Sequence, residues 1–383
     1  MNGYQLNIPT KVYFGRDIWR EAIKSWDSLF YGNVLIVTTG CSLKRLGYVQ
    51  ELERVIKECV LVRHLVTFDS ISANPKLSEV KDGITMGKAE GIDVVVGFGG
   101  GSAIDAAKAI ALGIGTDRNI EDFFDYGIEA KGEALPVIAI PTTAGTGSEL
   151  SKAAILTKEH QNIKRGIRGT ALYPKAAIVD SVFTESVPYK ITMETGFDVL
   201  AHGIESYISR AASPYTRMQS EYAVGIVGKY LSILSEDLHN IKARQKMSYA
   251  SMIMGINLGN ASTCLPHRMQ YPLGAYTNTS HGNGIAALFT SWISMEYSYV
   301  PEKVEKMLGL LTRKRICGGD ECAGEMYQFI KKLGLPTGLK ELGVDSSLLK
   351  VMAEAVEGNL KNDPAIEGSD REILLKLYEE AWQ

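Results

Sequence analysis

The chain of 383 residues carries a net charge of −3, with 45% hydrophobic and 22% charged residues; it reads as a soluble globular protein too long for one ordinary core, so two domains are expected. That charge leaves no footprint for nucleic acid, no apolar run of about 18 residues marks a membrane span, and MNGYQLNIPTKVYFG lacks the basic-then-apolar pattern of a secretory signal. The cysteines (Cys41, Cys59, Cys264, Cys317 and Cys322) are odd in number and form no CxxC pair, which suits a reduced cytoplasm better than a disulfide framework.

In chain order, NVLIVT (33–38), HLVTF (64–68), DVVVGF (93–98), PVIAI (136–140) and AAIVD (176–180) read as buried strands. Helical segments are expected between them at 43–59, 75–90 and 102–113. Strand and helix in alternation predict an N-terminal Rossmann-like α/β domain with a parallel sheet covered on both faces. After about residue 185 the strand signal stops and apolar residues recur at three- and four-residue spacing. The expected division is therefore 1–184, a dinucleotide-binding α/β domain, and 185–383, an all-helical domain for metal and substrate.

GFGGGSAIDAAKAIAL (97–112) follows a buried strand and opens a helix. Gly99, Gly100 and Gly101 allow close backbone approach, and Ser102 is expected as the N-cap with Asp105 completing an approximate capping box. Free N–H groups and the positive end of the helix dipole favour a phosphate there, although a tight turn without a ligand would look the same. It is not the usual dinucleotide fingerprint, since it follows an interior strand. PTTAGTGSELS (141–151) is a second loop after a strand, rich in hydroxyls and backbone donors. Two such loops at the carboxyl ends of parallel strands point to a mononucleotide or dinucleotide. NVLIVTTGCSLKRLG (33–47) ends its strand in Thr38-Thr39-Gly40 rather than an acidic residue, with Lys44 and Arg45 following. Nothing there is expected to repel a 2′-phosphate, so NADP is as open as NAD.

In ETGFDVLAHGIESYIS (194–209), Asp198 and His202 stand four apart and share a helix face. A carboxylate and an imidazole so placed can reach one cation, but on their own an Asp–His hydrogen bond or a solvated face explains them as well. His267 and His281, in LPHRMQYPLGAYTNTSHG (265–282), can supply the other half of a site suited to Fe(II), Zn(II) or another divalent ion. His64, His160 and His239 are set aside as strand or surface residues. A metal opposite a nucleotide suggests Lewis-acid polarisation of a substrate oxygen and hydride transfer with a nicotinamide.

GGGSAIDAAKAIAL, PTTAGTGSE, TGFDVLAHGIESYIS and HxxxYPLGAYxxxxHG, in this order, resemble the iron-containing (group III, metal-dependent) alcohol dehydrogenases. The similarity runs from PTKVYFGRDIW at residue 9 to the final LYEEAW. The resemblance implies an N-terminal nucleotide-binding domain, a C-terminal helical domain and an active site in the cleft, as in the dehydroquinate synthase-like architecture. It implies metal ligands Asp198, His202, His267 and His281, and pyrophosphate contacts from Gly99, Gly100, Gly101 and Ser102. It further implies cofactor contacts from Asn74, Thr142, Thr143, Thr146 and Lys164, and a homodimer; Thr39, at the end of its strand, is a further candidate cofactor contact.

Two positions depart from the family pattern. Many members carry a second histidine four residues after the first, near the nicotinamide; here it is Tyr271, which either donates a proton through a relay or only shapes the pocket. A tyrosine also stands there in hydroxyacid–oxoacid transhydrogenases. The other departure is Thr39, where NAD-preferring members often have Asp. Arg165, Arg168 and Arg268 could select an anionic aldehyde bearing a carboxylate or phosphonate, with solvation or pairing to carboxylates the preferred reading. The expected activity is a metal-dependent, NAD(P)H-linked alcohol dehydrogenase or aldehyde reductase acting on a small molecule. Asp198 and His267 would hold the metal in catalysis. A non-redox lyase of the dehydroquinate synthase type is disfavoured by the few basic residues in 185–285. Loss of catalysis is disfavoured by the intact set of candidate ligands.

Overall fold

The computed structural model describes residues 3–40, 42–367 and 370–382, and Cys41 lies outside them. Its strands are β1 (Lys11–Gly15), β2 (Gly32–Thr39), β3 (Val62–Ile71), β4 (Val94–Gly99), β5 (Val137–Pro141), β6 (Ala153–Lys158), β7 (Ile163–Arg168) and β8 (Ala176–Asp180). Six of them form one sheet in the order β1-β8-β5-β4-β2-β3, parallel throughout, while β6 and β7 pair as an antiparallel hairpin. The apolar runs are continuous because both faces are buried. Val34, Ile36, Val94, Val96, Ile138 and Ile140 enter one hydrophobic cluster. Their alternates Leu35, Val37, Val95 and Val137 enter the other.

Several local expectations need correction. β1, β6 and β7 are absent from the strand pattern read in the sequence. The helical stretch expected at 43–59 is broken into Ser42–Arg45 and Tyr48–Lys57, with Gly47 between them at φ +76°. The helices flanking β4 are α1 (Leu77–Ala89) and α2 (Gly101–Gly115). Gly100, not Ser102, is the N-cap of α2. Ser102 instead donates to the Ala73 carbonyl at 2.5 Å. Asp105 completes no capping box, because its carboxylate is turned inward.

The helices that matter for the site in the second half are α3 (Tyr189–Ile208), α4 (Pro214–Leu234), α5 (Ile241–Asn260), α6 (Leu265–Thr277) and α7 (His281–Tyr297). Contacts divide the chain into Ile8–Ser186 and a second unit of Val187–Gln383 with the N-terminal residues through Asn7. Among the described residues no helix is long and apolar enough to cross a membrane. Cys59, Cys264, Cys317 and Cys322 are free thiols.

Candidate active site

On α3, Asp198, His202 and Glu205 recur at i, i+4 and i+7, so one helix face carries all three, each buried. α6 brings His267 against that face. Asn278, at φ +56°, ends α6 in the left-handed conformation and turns the chain so that α7 begins with His281. Gly282 lets α7 approach α3, since a Cβ there would lie 2.5 Å from the Glu194 carbonyl oxygen.

The result is one carboxylate oxygen facing three imidazole nitrogens. Asp198 Oδ1 lies 3.2 Å from His267 Nε2, 3.6 Å from His202 Nε2 and 3.7 Å from His281 Nε2. In a tetrahedral site with metal–ligand bonds of about 2.1 Å, neighbouring ligand atoms stand roughly 3.4 Å apart; the ligand atoms of Asp198, His267 and His281 all lie within 4.8 Å of one another and so suit a divalent ion, while His202 stands outside that group but 3.6 Å from Asp198 Oδ1. The rings are oriented from behind. His267 Nδ1 donates to Glu205 Oε1 at 2.6 Å and His281 Nδ1 to Gln270 Oε1 at 2.6 Å, which turns each Nε2 inward. Glu205 is itself fixed by the Cys264 N–H at 2.8 Å.

The electrostatics ask for positive charge at this point. Burial alone would lower the His267 imidazole, but Glu205 and Asp198 outweigh it and raise it to about 10. Burial would raise Asp198, yet His202, His281 and His267 together hold it well below the usual carboxylate range. A metal ion held there would supply that positive charge in place of a proton.

In the α/β unit, the residues read as cofactor contacts converge at the carboxyl ends of β2, β4 and β5. Thr142 N–H donates to the Gly99 carbonyl at 2.9 Å. A Cβ on Gly99 would lie 3.5 Å from Thr39 Oγ1, one on Gly100 3.3 Å from Thr143 Oγ1, and one on Gly101 2.6 Å from Thr146. Gly101 is thus what lets the two loops close on each other, with Gly100 in a tight contact beside it. Lys164, on the β6–β7 hairpin, donates to Asn74 Oδ1 at 3.0 Å, and Thr157 N–H to the Pro75 carbonyl at 2.9 Å, tying the hairpin to the segment that meets Ser102. Lys44 is paired with Asp69 of β3, an acidic residue beside the end of β2 that the strand-end rule missed.

Under these loops lies a buried polar cluster that sequence reasoning also missed. Lys108, fully buried, donates to Ser148 Oγ at 2.8 Å, Ser151 Oγ at 3.2 Å and the Ala153 carbonyl at 2.8 Å. Its Nζ is 3.6 Å from Asp105 Oδ1. Asp105 accepts from Ser148 and from the Ile155 N–H. Burial pushes the Asp105 carboxyl up and the Lys108 ammonium down, and pushes the neighbouring Glu149 carboxyl up to about 7.

The arginines part company. Arg165 donates to the Phe124 and Asp125 carbonyls, and exposed Arg168 to the Gly166 carbonyl. Arg268 is buried, which removes solvation as its explanation. Tyr271 is half-buried on α6, one turn beyond His267.

Comparison with known proteins gives the family. Residues 9–181 match the family model described as iron-containing alcohol dehydrogenase, and residues 192–382 match its C-terminal family model. The chain belongs to the iron-containing alcohol dehydrogenase family. It is similar to NADH-dependent butanol dehydrogenase A of Clostridium acetobutylicum, at 29% identity over all of both chains. Alcohol dehydrogenase 4 of Saccharomyces cerevisiae is 30% identical, covering 91% of this chain and 90% of that one. Among solved structures, sulfoacetaldehyde reductase from Bifidobacterium kashiwanohense in complex with NAD+ superposes with a TM-score of 0.86 at 28% identity, covering 100% of this chain and 99% of that one. As a member of this family the chain is a nicotinamide-dependent oxidoreductase acting on CH–OH groups, and the family implies a divalent metal and NAD(H).

Proposed function

We propose that the protein is a metal-dependent aldehyde reductase, running in reverse as an alcohol dehydrogenase, whose metal ligands are Asp198, His202, His267 and His281. The observation that carries this reading is the convergence of three Nε2 atoms on Asp198 Oδ1 at 3.2–3.7 Å. A divalent ion held there, iron or zinc, supplies Lewis acidity toward the substrate oxygen, and the nicotinamide supplies or takes the hydride. The chain's own residues do the rest. Glu205 and Gln270 hold His267 and His281 in the tautomer that keeps Nε2 available. Gly99, Gly100, Gly101 and Ser102 offer backbone N–H groups to the pyrophosphate at the start of α2. Thr142, Thr143, Thr146, Asn74 and Lys164 surround the rest of the cofactor. Thr39 carries no charge and Asp69 beside it is paired with Lys44, so NADPH competes with NADH. Tyr271 is the residue proposed to pass a proton to or from the substrate oxygen.

The substrate is a small aldehyde or alcohol, and the buried Arg268 favours one that bears an anionic group. The tyrosine at 271 leaves a transhydrogenase between a hydroxyacid and an oxoacid as the second reading. Free thiols suit a reduced cytoplasm, and a homodimer is what the resemblance implies.

The test is anaerobic reconstitution with Fe(II) or Zn(II), followed by absorbance at about 340 nm with NADH and NADPH against neutral and anionic aldehydes. Metal-dependent loss of absorbance is the expected result. Stoichiometric metal with no turnover of any aldehyde would refute the reductase and favour the transhydrogenase.

A further inference from the structure

Only two arginines in the described residues are buried, and they differ sharply in how their donors are met. Arg244, 3% exposed, donates from Nε to the Leu238 carbonyl at 2.9 Å, from Nη1 to Thr192 Oγ1 at 2.8 Å and from Nη2 to the Val187 carbonyl at 2.9 Å. Arg268, 5% exposed, makes one hydrogen bond, from Nη2 to Ser262 Oγ at 3.2 Å. Its Nε is buried without an acceptor, and no carboxylate among the described residues forms an ion pair with it. Arg244 is satisfied as a structural residue would be. A buried guanidinium left like Arg268 is costly unless an anion completes it.

Arg268 directly follows His267 on α6, and its guanidinium lies 5.9 Å from the centroid of the Tyr271 ring, one turn along. Ser262 closes the end of α5 at φ +61°, a position where glycine is the usual residue. Serine there costs backbone strain and places a hydroxyl against the guanidinium. Gly358 lies along the arginine stem, where a Cβ would come 3.4 Å from Arg268 Cδ and 3.6 Å from Nε.

We propose that Arg268, with Ser262 beside it, anchors an oxyanion carried by the aldehyde or alcohol substrate: a carboxylate, sulfonate or phosphonate. The inference rests on the reading that the Asp198 cage receives the substrate's reacting oxygen. The planar guanidinium offers two parallel N–H donors to two oxygens of such a group, a match that a neutral substrate cannot make.

The experiment uses the metal-reconstituted full chain and compares kcat/KM for butanal with 4-oxobutanoate, sulfoacetaldehyde and phosphonoacetaldehyde. The expected preference for at least one anionic aldehyde over butanal is about 100-fold. Arg268→Gln collapses that ratio toward unity, and Arg268→Lys, keeping charge without the fork, gives an intermediate one. A ratio unchanged in Arg268→Gln, or a wild-type preference for butanal, overturns the anchor. An arm that needs no variant is inhibition of butanal reduction by propanoate, ethanesulfonate and ethylphosphonate. Competitive inhibition by one of them supports the anchor, and none by any of the three overturns it. Butanal turnover without anion preference sinks the anchor alone, whereas no turnover of any aldehyde sinks the underlying reading as well.

Discussion

Replacing Lys108 with Met should destabilise the α/β unit far more than an ordinary core substitution does. The side chain is about the same length, so the loss is chiefly of charge and donors. Lys108 Nζ currently serves Ser148, Ser151 and the Ala153 carbonyl and stands 3.6 Å from Asp105. In Lys108→Met the Asp105 carboxylate stays buried with its cation gone, and the Ala153 carbonyl loses a donor. Breaking a buried pair in this way costs about 3–5 kcal/mol, which for a unit of this size lowers Tm by roughly 10 °C. Ser148 and Ser151 belong to the loop that carries Thr142, Thr143 and Thr146, so KM for the nicotinamide should rise while metal content stays constant. Urea denaturation would measure the first effect and steady-state kinetics with metal analysis the second. The double variant Asp105→Asn/Lys108→Met should be more stable than the sum of the single losses by at least about 1 kcal/mol. A loss under about 1 kcal/mol in Lys108→Met, or strict additivity in the cycle, would refute the claim that the pair acts as one unit.

Three further outcomes are expected. Burial raises Glu149 from 4.5 to about 7, so the folded state binds its proton more tightly; this contribution is complete below pH 4.5, is lost as pH rises to about 7, and amounts to at most about 3 kcal/mol. Glu149→Gln should flatten the decline of the urea midpoint across that window, and an unchanged slope would count against it. Glu205→Gln, which weakens the acceptor behind His267, should lower metal affinity about 10- to 100-fold in chelator competition; unaltered affinity would mean that the 2.6 Å bond does not tune the ligand. Thr39→Asp should cut kcat/KM for NADPH relative to NADH by 10-fold or more, about the effect of one like charge near the 2′-phosphate; an unchanged ratio would place the ribose elsewhere.

The strands that lie inside the sheet were legible because burial on both faces demands unbroken runs such as VVVGFG and VIAIP. β1 was not, since an edge strand with a half-exposed face needs only KVYFG. The hairpin of AAILTK and IKRGIR escaped for a related reason: it stands outside the main sheet, and its basic residues disguise any alternation. The shared helix face of Asp198 and His202 was readable from their spacing, though not what the pair does there. Glu205, completing the same face at i+7, was equally readable, as was Gln270 at i+3 from His267; both were passed over because neither residue type is a histidine in a histidine-poor chain.

Arg268 marks where spacing stops informing. A helix places it about 100° around the axis from His267, which is compatible with a solvated rim or a buried pocket. Only tertiary packing, from Ser262 at the end of α5 and from Gly358, decides that it is buried. The same packing leaves its Nε without an acceptor while Arg244, in the same unit, has every nitrogen matched. Residues that share a helix face can be inferred from periodicity because the helix itself sets their geometry. Substrate preference rests on a mismatch between a buried group and its surroundings, and such a mismatch exists only once the surroundings have been assembled.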